Sequence, residues 1–133
     1  MSTELSYGFK KILTMSVEHA EARVREALGA EGFGILTEID IQSTFKEKLD
    51  VDFRPYRILG ACSPPVAWQA LTEEDDIGLL LPCNVVAYAG AEAGTSVVAI
   101  LDPVQQLAVS GRDDLGPVAD EVQARLKRVL EAL

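Results

Sequence analysis

Two short apolar runs separated by a turn, at residues 84–89 and 95–101, constrain the fold more than any other part of the sequence. Glu92, Ala93 and Gly94 lie between the runs and predict the turn of a β-hairpin. Successive side chains of a strand point to opposite faces, and both faces of this hairpin are apolar. An antiparallel sheet with one face in water would instead alternate apolar with polar residues. We therefore expect both faces to be covered, whether by helices of this chain, by a ligand or by a second copy of the protein.

The rest of the chain alternates candidate strands and helices. Apolar side chains at alternate positions predict strands at residues 5–13, 33–39 and 56–61. Helices are predicted behind the caps Ser16 and Asp40, at residues 64–71 and in the C-terminal part, with a short turn or helix ending at 107. The last helix carries one apolar stripe: Val118, Ala119, Val122, Leu126, Val129, Leu130 and Leu133. The sequence thus predicts one α+β domain over residues 1–133, with a mainly antiparallel sheet of about five or six strands and the first and last helices packed on one face.

Charges are distributed unevenly along the chain. The net charge is −9, and no Lys or Arg occurs between Ile58 and Gly111. This balance argues against nucleic acid as a partner, since phosphate backbones would be repelled and no basic stripe interleaved with aromatic residues is present. A basic cluster lies just before this stretch: Lys46, Lys48, Arg54 and Arg57. It marks a candidate site for a small anion.

Near that cluster, Lys48, Arg54 and Tyr56 are the candidate ligand-binding residues. The planar fork of an arginine matches the geometry of a carboxylate or a phosphate. Lys48 lies on the second helix, which is predicted to bury its apolar side chains: Ile41, Phe45 and Leu49. The alternative interpretation leaves this helix face solvated and pairs the arginines with Asp50 and Asp52.

Cys62 and Cys83 are the candidate redox residues. Cys62 ends the third strand just before a helix, where backbone amides and the helix dipole lower the pKa of a thiol. Cys83 is the first residue of the hairpin. If the two strands are antiparallel neighbours, the cysteines lie close enough to form a disulfide and act as a redox switch. The alternative is two buried thiols that behave as small apolar side chains. No Lys, Arg or His adjoins either cysteine in the sequence, which favours this alternative.

No motif in the sequence names a cofactor or a reaction. His19 is the only histidine, and with two cysteines it offers no recognisable zinc-binding spacing. The sequence contains no glycine-rich phosphate loop, no nucleophile elbow and no paired-carboxylate motif. It therefore does not decide whether the protein is an enzyme. No apolar run approaches the roughly 18 residues of a membrane helix, and the first residues lack the pattern of a secretory signal. We therefore expect a cytoplasmic protein with neither a metal site nor a membrane partner.

Four separated segments resemble a known family in their order and spacing. They are GFGILTEID at 32–40, FKEKL at 45–49, DFRPYRILGAC at 52–62 and IGLLLPCNVV at 77–86. These segments resemble the bacterial and archaeal domain-of-unknown-function family 302, and the resemblance extends over nearly the whole chain. It implies a small α+β fold with helices against an antiparallel sheet, commonly found as a dimer, and it implies no activity. The matching positions that could carry chemistry have no established role: Lys46, Lys48, Arg54, Tyr56, Cys62, Pro82, Cys83 and Asn84.

Two hypotheses of different classes follow. The first is a protein that binds a small, partly apolar anion in a sheet-lined pocket through Lys48, Arg54 and Tyr56. The second is a thiol-based redox or sulfur-handling protein that uses Cys83, with or without Cys62. The resemblance mildly favours this second hypothesis, because it implies an association with redox and sulfur-handling proteins. The apolar hairpin and the resemblance together predict a homodimer.

Overall fold

A computed structural model describes residues 2–133 and places six strands in one antiparallel sheet. The strands are β1 (Ser2–Leu5), β2 (Gly8–Leu13), β3 (Gly34–Asp40), β4 (Tyr56–Cys62), β5 (Cys83–Ala89) and β6 (Ser96–Leu101). The helices are α1 (Val17–Ala30), α2 (Ile41–Leu49), α3 (Pro64–Glu73), α4 (Pro103–Ala108) and α5 (Gly116–Glu131), with 3₁₀ segments at Asp75–Leu80 and Asp113–Leu115. The strand order is β1-β2-β6-β5-β4-β3, so the predicted hairpin of β5 and β6 lies at the centre.

One face of the sheet is covered by α1 and α5, which confirms the predicted α+β class and the position of these two helices. The strands contribute buried side chains at alternate positions: Phe9, Leu13, Leu59, Ala61, Val85, Ala87, Val98 and Ile100. The two helices contribute their apolar stripes: Ala20, Val24 and Leu28 from α1, and Val122, Leu126 and Val129 from α5. These side chains form the main core, because they are the apolar residues that the sheet and the two helices turn towards each other.

The caps predicted for the first two helices are present. The hydroxyl of Ser16 accepts a hydrogen bond from the backbone N–H of His19 at 3.1 Å and so begins α1. The carboxylate of Asp40 accepts a hydrogen bond from the N–H of Ser43 at 3.0 Å and begins α2 directly after β3. Each cap satisfies a backbone donor that has no partner within its helix.

The single strand predicted at residues 5–13 is wrong, because the chain reverses direction within it. Leu5 of β1 pairs with Gly8 of β2, and Ser6 and Tyr7 form the two-residue turn between them. Tyr7 is consequently 64% exposed. The sequence pattern does not indicate this turn, because neither of its residues is Gly, Asn or Asp, the types that usually occur in a tight hairpin turn.

The second helix does not bury the apolar side chains that its spacing predicts. No residue of α2 is buried, and Leu49 is 64% exposed. The helix begins directly after β3 and packs against β4. The ring of Phe45 lies 5.1 Å from that of Phe53, in the segment that precedes β4. The prediction failed because helical spacing shows which residues share a side, whereas the partner available to that side depends on the tertiary fold.

The second face of the sheet, which we call the open face, has no helix packed over β5 and β6 in the described part of the chain. Register pairing aligns one row of its side chains across five strands: Lys10, Ala99, Val86, Ile58 and Ile39. A second row consists of Ile12, Val97, Tyr88 and Tyr56. Ile12 is 56% exposed and Ile39 44% exposed. Helices therefore account for one apolar face of the hairpin, and the other remains available for a ligand or a second copy.

Candidate functional site

Four aromatic rings form a continuous cluster that extends from the open face to α2. Tyr56 and Tyr88 are register partners on β4 and β5, and their rings stack 5.1 Å apart at an interplanar angle of 9°. Phe53 lies 6.2 Å from Tyr56, and Phe45 of α2 meets Phe53 edge to face. Such offset and edge-to-face pairs stabilise a fixed arrangement of rings. The four rings therefore form an aromatic surface of fixed geometry on this part of the open face.

The guanidinium of Arg54 lies against this cluster. Its Cζ atom is 5.1 Å from the ring centroid of Phe53 and 5.5 Å from that of Tyr88. Pro55 favours the extended backbone that Arg54 needs between these two rings. No carboxylate oxygen lies within 4.0 Å of Arg54 among residues 2–133. The cation is thus held by aromatic faces, and its N–H groups remain free to donate to an anion.

A cavity of about 180 Å³ lies on the open face beside the cluster. It is mostly apolar, and the turn between β1 and β2 contributes one wall. Side chains from four strands and this turn line it: Leu5, Tyr7, Tyr56, Asn84, Val86, Ala99 and Leu101. Tyr56 belongs both to this lining and to the aromatic cluster, so the cavity and the Arg54 environment are adjacent.

The hydroxyl of Tyr56 stays protonated at neutral pH. Burial raises the pKa of Tyr56 above its usual value of 10.0; nearby Tyr88 and Tyr7 add to the increase, and Arg54 opposes it. Desolvation has this sign because it penalises the phenolate more than the neutral phenol. Tyr56 is therefore a hydrogen-bond donor, which is what an anion in this position requires.

The other members of the predicted basic cluster lie elsewhere. Lys46 pairs with Asp50 at 3.0 Å and with Asp52 at 3.6 Å, whereas the alternative interpretation assigned these two carboxylates to the arginines. Arg57 pairs with carboxylates on the side of the sheet that α1 covers: Glu21, Glu38 and Asp40. Lys48 is exposed in the last turn of α2 and is not among the residues that line the cavity. Of the three predicted ligand-binding residues, the fold brings Arg54 and Tyr56 together.

The two cysteines lie on neighbouring strands and both border one small apolar cavity, although strand alternation directs their side chains to different faces of the sheet. Ala61 is the register partner of Cys83, so Cys62 lies one position beyond it on β4. Alternation directs Cys83 to the helix-covered face with Val85, and Cys62 to the opposite face. Both are free thiols. A disulfide requires Cβ atoms that point towards each other, so this arrangement disfavours the predicted switch.

Burial keeps both thiols protonated. It raises the pKa of Cys83 to about 12, and the nearby carboxylate of Asp102 adds to the increase. The S–H group lies 3.6 Å from the carbonyl oxygen of Leu101, to which it donates. Burial also raises the pKa of Cys62. The thiolate is the reactive form of cysteine, so neither residue is activated for nucleophilic or redox chemistry.

We expect Cys83 to react with iodoacetamide at least about 100-fold more slowly than Cys62 at pH 8, because a pKa of about 12 leaves about one thiolate in 10⁴ and because Cys83 is buried. Peptide mass spectrometry over a time course measures both rates, and unfolding in guanidinium should make them equal. Mild oxidant should leave both thiols reduced. Equal rates in the native protein, or an intramolecular disulfide, would contradict this interpretation.

The described residues offer no alternative centre of metal chemistry. Within residues 2–133, no group of three or more His, Cys, Asp and Glu side chains is arranged so that it could hold a metal ion. None of the helices in the same range combines the length and the apolar character needed to cross a membrane.

Comparison with known proteins identifies the family. The profile described as "Domain of unknown function DUF302" matches residues 9–133. The chain belongs to this family. Its fold is similar to that in the crystal structure of an uncharacterised conserved DUF302 protein from Bacillus stearothermophilus, with a TM-score of 0.85 and 27% sequence identity over 96% of this chain and 98% of that chain. No curated protein matches the chain. The resemblance in the four sequence segments is thus confirmed at the level of family and fold.

Three residues of this DUF302 site were not identified in the sequence. Tyr88 and Phe53 become neighbours of Arg54 and Tyr56 only through the register of β4 against β5 and the path of the chain after α2. Tyr7 reaches the cavity because it lies in the turn that sequence patterning missed. One signal in the sequence could have identified Tyr88. Tyr56 and Tyr88 each lie on an apolar strand, and aromatic pairs are favoured across antiparallel strands.

Proposed function

We propose that the protein binds a small, partly apolar anion on the open face, and that Arg54 and Tyr56 hold its charged group. The observation that carries this proposal is the Arg54 guanidinium, which lies over two aromatic rings and has no carboxylate within 4.0 Å among residues 2–133. An arginine held in this way loses little side-chain freedom when it pairs with a carboxylate, so the ion pair costs less entropy.

The adjacent cavity suits the apolar part of such a ligand. Its volume of about 180 Å³ is below the roughly 300–1,000 Å³ of sites for drug-sized molecules, so the proposed ligand is correspondingly small. Apolar side chains would contact its body, while the Tyr56 hydroxyl donates a hydrogen bond to its charged end. Asn84 and Tyr7 supply further polar groups at the cavity wall.

The alternative thiol function has less support. Both cysteines have a raised pKa, and strand alternation directs their side chains to different faces of the sheet, which argues against an activated pair. The two free thiols fit the reducing environment of the cytoplasm, which we include in the proposal as the location of the protein.

A matched pair of probes tests the binding function. We expect phenylacetate to bind at least about tenfold more tightly than phenylacetamide, because only the carboxylate forms charge-assisted hydrogen bonds with Arg54. Backbone amide NMR shifts during a titration give both affinities, and the largest shifts should come from β5, β6 and the β1–β2 turn. Equal affinity of the two probes, or shifts confined to the helical side of the sheet, would argue against the proposal.

We also propose that two copies of the chain pair along the edge of the sheet that is formed by β3. Four apolar side chains of β3, of α2 and of the segment just after it are exposed: Leu36, Ile39, Leu49 and Val51. Burying apolar area stabilises an interface by about 25 cal/mol per Å². An exposed edge strand also offers unpaired backbone groups to a second chain. These features suit a symmetric pair.

Sedimentation at micromolar concentration should accordingly give twice the chain mass of 14.4 kDa. Ile39→Glu should weaken the pairing by at least about 100-fold, because it buries a carboxylate without a partner in the interface. Val109→Glu is the control, because it adds the same charge at the C-terminal end of α4, where the side chain is 76% exposed. This variant should keep the sedimentation mass of the wild type. A wild-type protein that sediments as a monomer at these concentrations would rule the pairing out.

A further inference from the structure

An exposed apolar patch lies at the end of the molecule formed by α3 and the following 3₁₀ segment. Trp68 is 72% exposed, Leu71 40% and Leu79 87%. Trp68 and Leu71 are three residues apart on α3, so they share one side of the helix. Leu71 packs next to Gly78, where its Cδ2 atom is 3.7 Å from the position that a Cβ would take, and Leu79 follows directly. We call these three residues the Trp68 patch.

Packing of this region within the chain does not use the Trp68 patch. The inner sides of α3 and the 3₁₀ segment are satisfied by a second, smaller core that is completed by α4 and the start of α5: Ala70, Ile77, Leu107, Leu115 and Ala119. Leu80 and Leu81 also pack against this core, while Leu79 between them and Ile77 points to solvent. Contiguous exposed apolar side chains rimmed by polar residues are a common mark of an interaction surface.

The rim of the patch is acidic. Glu73, Glu74, Asp75 and Asp76 follow one residue after Leu71, and Glu73 lies about 8 Å from Trp68 along the axis of α3 by helical rise. Arg112 approaches Glu73 at 3.8 Å but is engaged mainly by Asp114 at 2.6 Å. Among residues 2–133, no Lys, Arg or His lies within 4.0 Å of the other three carboxylates. The region therefore presents apolar surface beside four carboxylates, of which only Glu73 has a cation within 4.0 Å among residues 2–133.

We propose that the Trp68 patch docks a basic amphipathic segment of another protein. Apolar side chains of that segment would cover Trp68, Leu71 and Leu79, and its Lys or Arg residues would lie over the acidic run. Charge complementarity selects this occupant, because oppositely charged rims attract and like-charged rims repel. A second copy would bring two acidic runs together, and an anionic membrane surface would repel the same run.

The only tryptophan of the chain reports directly on this surface. The probe is a synthetic helical peptide of about five turns with leucine on one side and lysine on the other, and the matched control replaces every lysine with glutamate. We expect the lysine peptide to shift Trp68 emission to shorter wavelength with saturation, and to bind at least about tenfold more tightly than the glutamate peptide. Raising the salt concentration should weaken the lysine peptide alone.

Two variants locate the binding while leaving Trp68 in place. Leu79→Ser removes an exposed apolar contact, and the triple change Glu74→Gln, Asp75→Asn, Asp76→Asn removes charge; each should weaken the lysine peptide by about tenfold. Val109→Ser, at another exposed side chain, should change nothing, and equal thermal midpoints establish that all variants are folded. The proposal is overturned if the two peptides bind equally, if neither shifts the emission, or if the variants leave affinity unchanged. A shift caused by anionic vesicles or by raising the concentration of the protein alone would equally overturn it.

Discussion

Replacing Leu126 with alanine is expected to lower the free energy of unfolding by about 3–5 kcal/mol, the range measured for buried leucines whose removal leaves a cavity. Leu126 is 0% exposed and lies in the main core between the sheet and the stripes of α1 and α5. Its loss removes apolar contacts from the core shared by α1, α5 and the sheet, and a helix packed on a six-stranded sheet has little freedom to collapse into the space.

Denaturant unfolding monitored by circular dichroism measures this change. Leu79→Ala is the matched control, because the same substitution at a side chain that is 87% exposed should change the free energy of unfolding by no more than about 0.5 kcal/mol. If Leu126→Ala cost less than about 1 kcal/mol, the helical stripe of α5 would not be part of the core as described.

Much of this fold was predictable because its strongest patterns coincide with its core. The stripe of α5 predicted a helix packed on a sheet, and the two apolar runs predicted the hairpin of β5 and β6. Both predictions are confirmed by the strand order and by the burial of Leu126, Val85 and Val98. Patterns of this kind succeed because apolar periodicity follows directly from which face of an element is removed from water.

Two elements differed from the sequence prediction for physical reasons of their own. The turn at Ser6 and Tyr7 has no residue type that favours a positive φ angle, so alternation seemed to continue through it. Helix α2 has the spacing of a core helix, yet it follows β3 too closely to reach the core and leaves Leu49 exposed. In both cases the geometry of the chain reversal or of the connection, which the local pattern does not encode, decides the outcome.

The candidate site was only partly predictable for a similar reason. Arg54 and Tyr56 were identified because they are close together in the sequence. Tyr88 joins them through strand register, and Lys48, also near in sequence, lies at the exposed end of α2. A site assembled from several strands depends on pairing that a single sequence does not encode in any short motif. The sequence therefore indicated the chemistry of the site, and the fold determined its members.

Arg54→Gln is expected to weaken the binding of phenylacetate by about 10- to 100-fold, which corresponds to the loss of one or two hydrogen bonds to a charged group. Glutamine keeps hydrogen-bonding capacity but loses the positive charge and the planar fork. Arg54→Lys keeps the charge, and we expect an intermediate loss because an ammonium group cannot reproduce the stacked, bidentate geometry. Tyr88 and Phe53 should retain their positions in both variants, since their contacts with Tyr56 and Phe45 do not involve Arg54.

The decisive measurement is a titration of phenylacetate into the wild type, Arg54→Gln, Lys48→Gln and Arg23→Gln, followed by backbone amide NMR. Arg23→Gln removes one positive charge, as Arg54→Gln does, but from α1 on the helix-covered side of the sheet. It therefore controls for the change in the overall charge of the protein. We predict a loss of about 10- to 100-fold for Arg54→Gln and less than about threefold for Lys48→Gln and Arg23→Gln. An unchanged affinity in Arg54→Gln, or an equal loss in all three variants, would contradict an anion site built on Arg54.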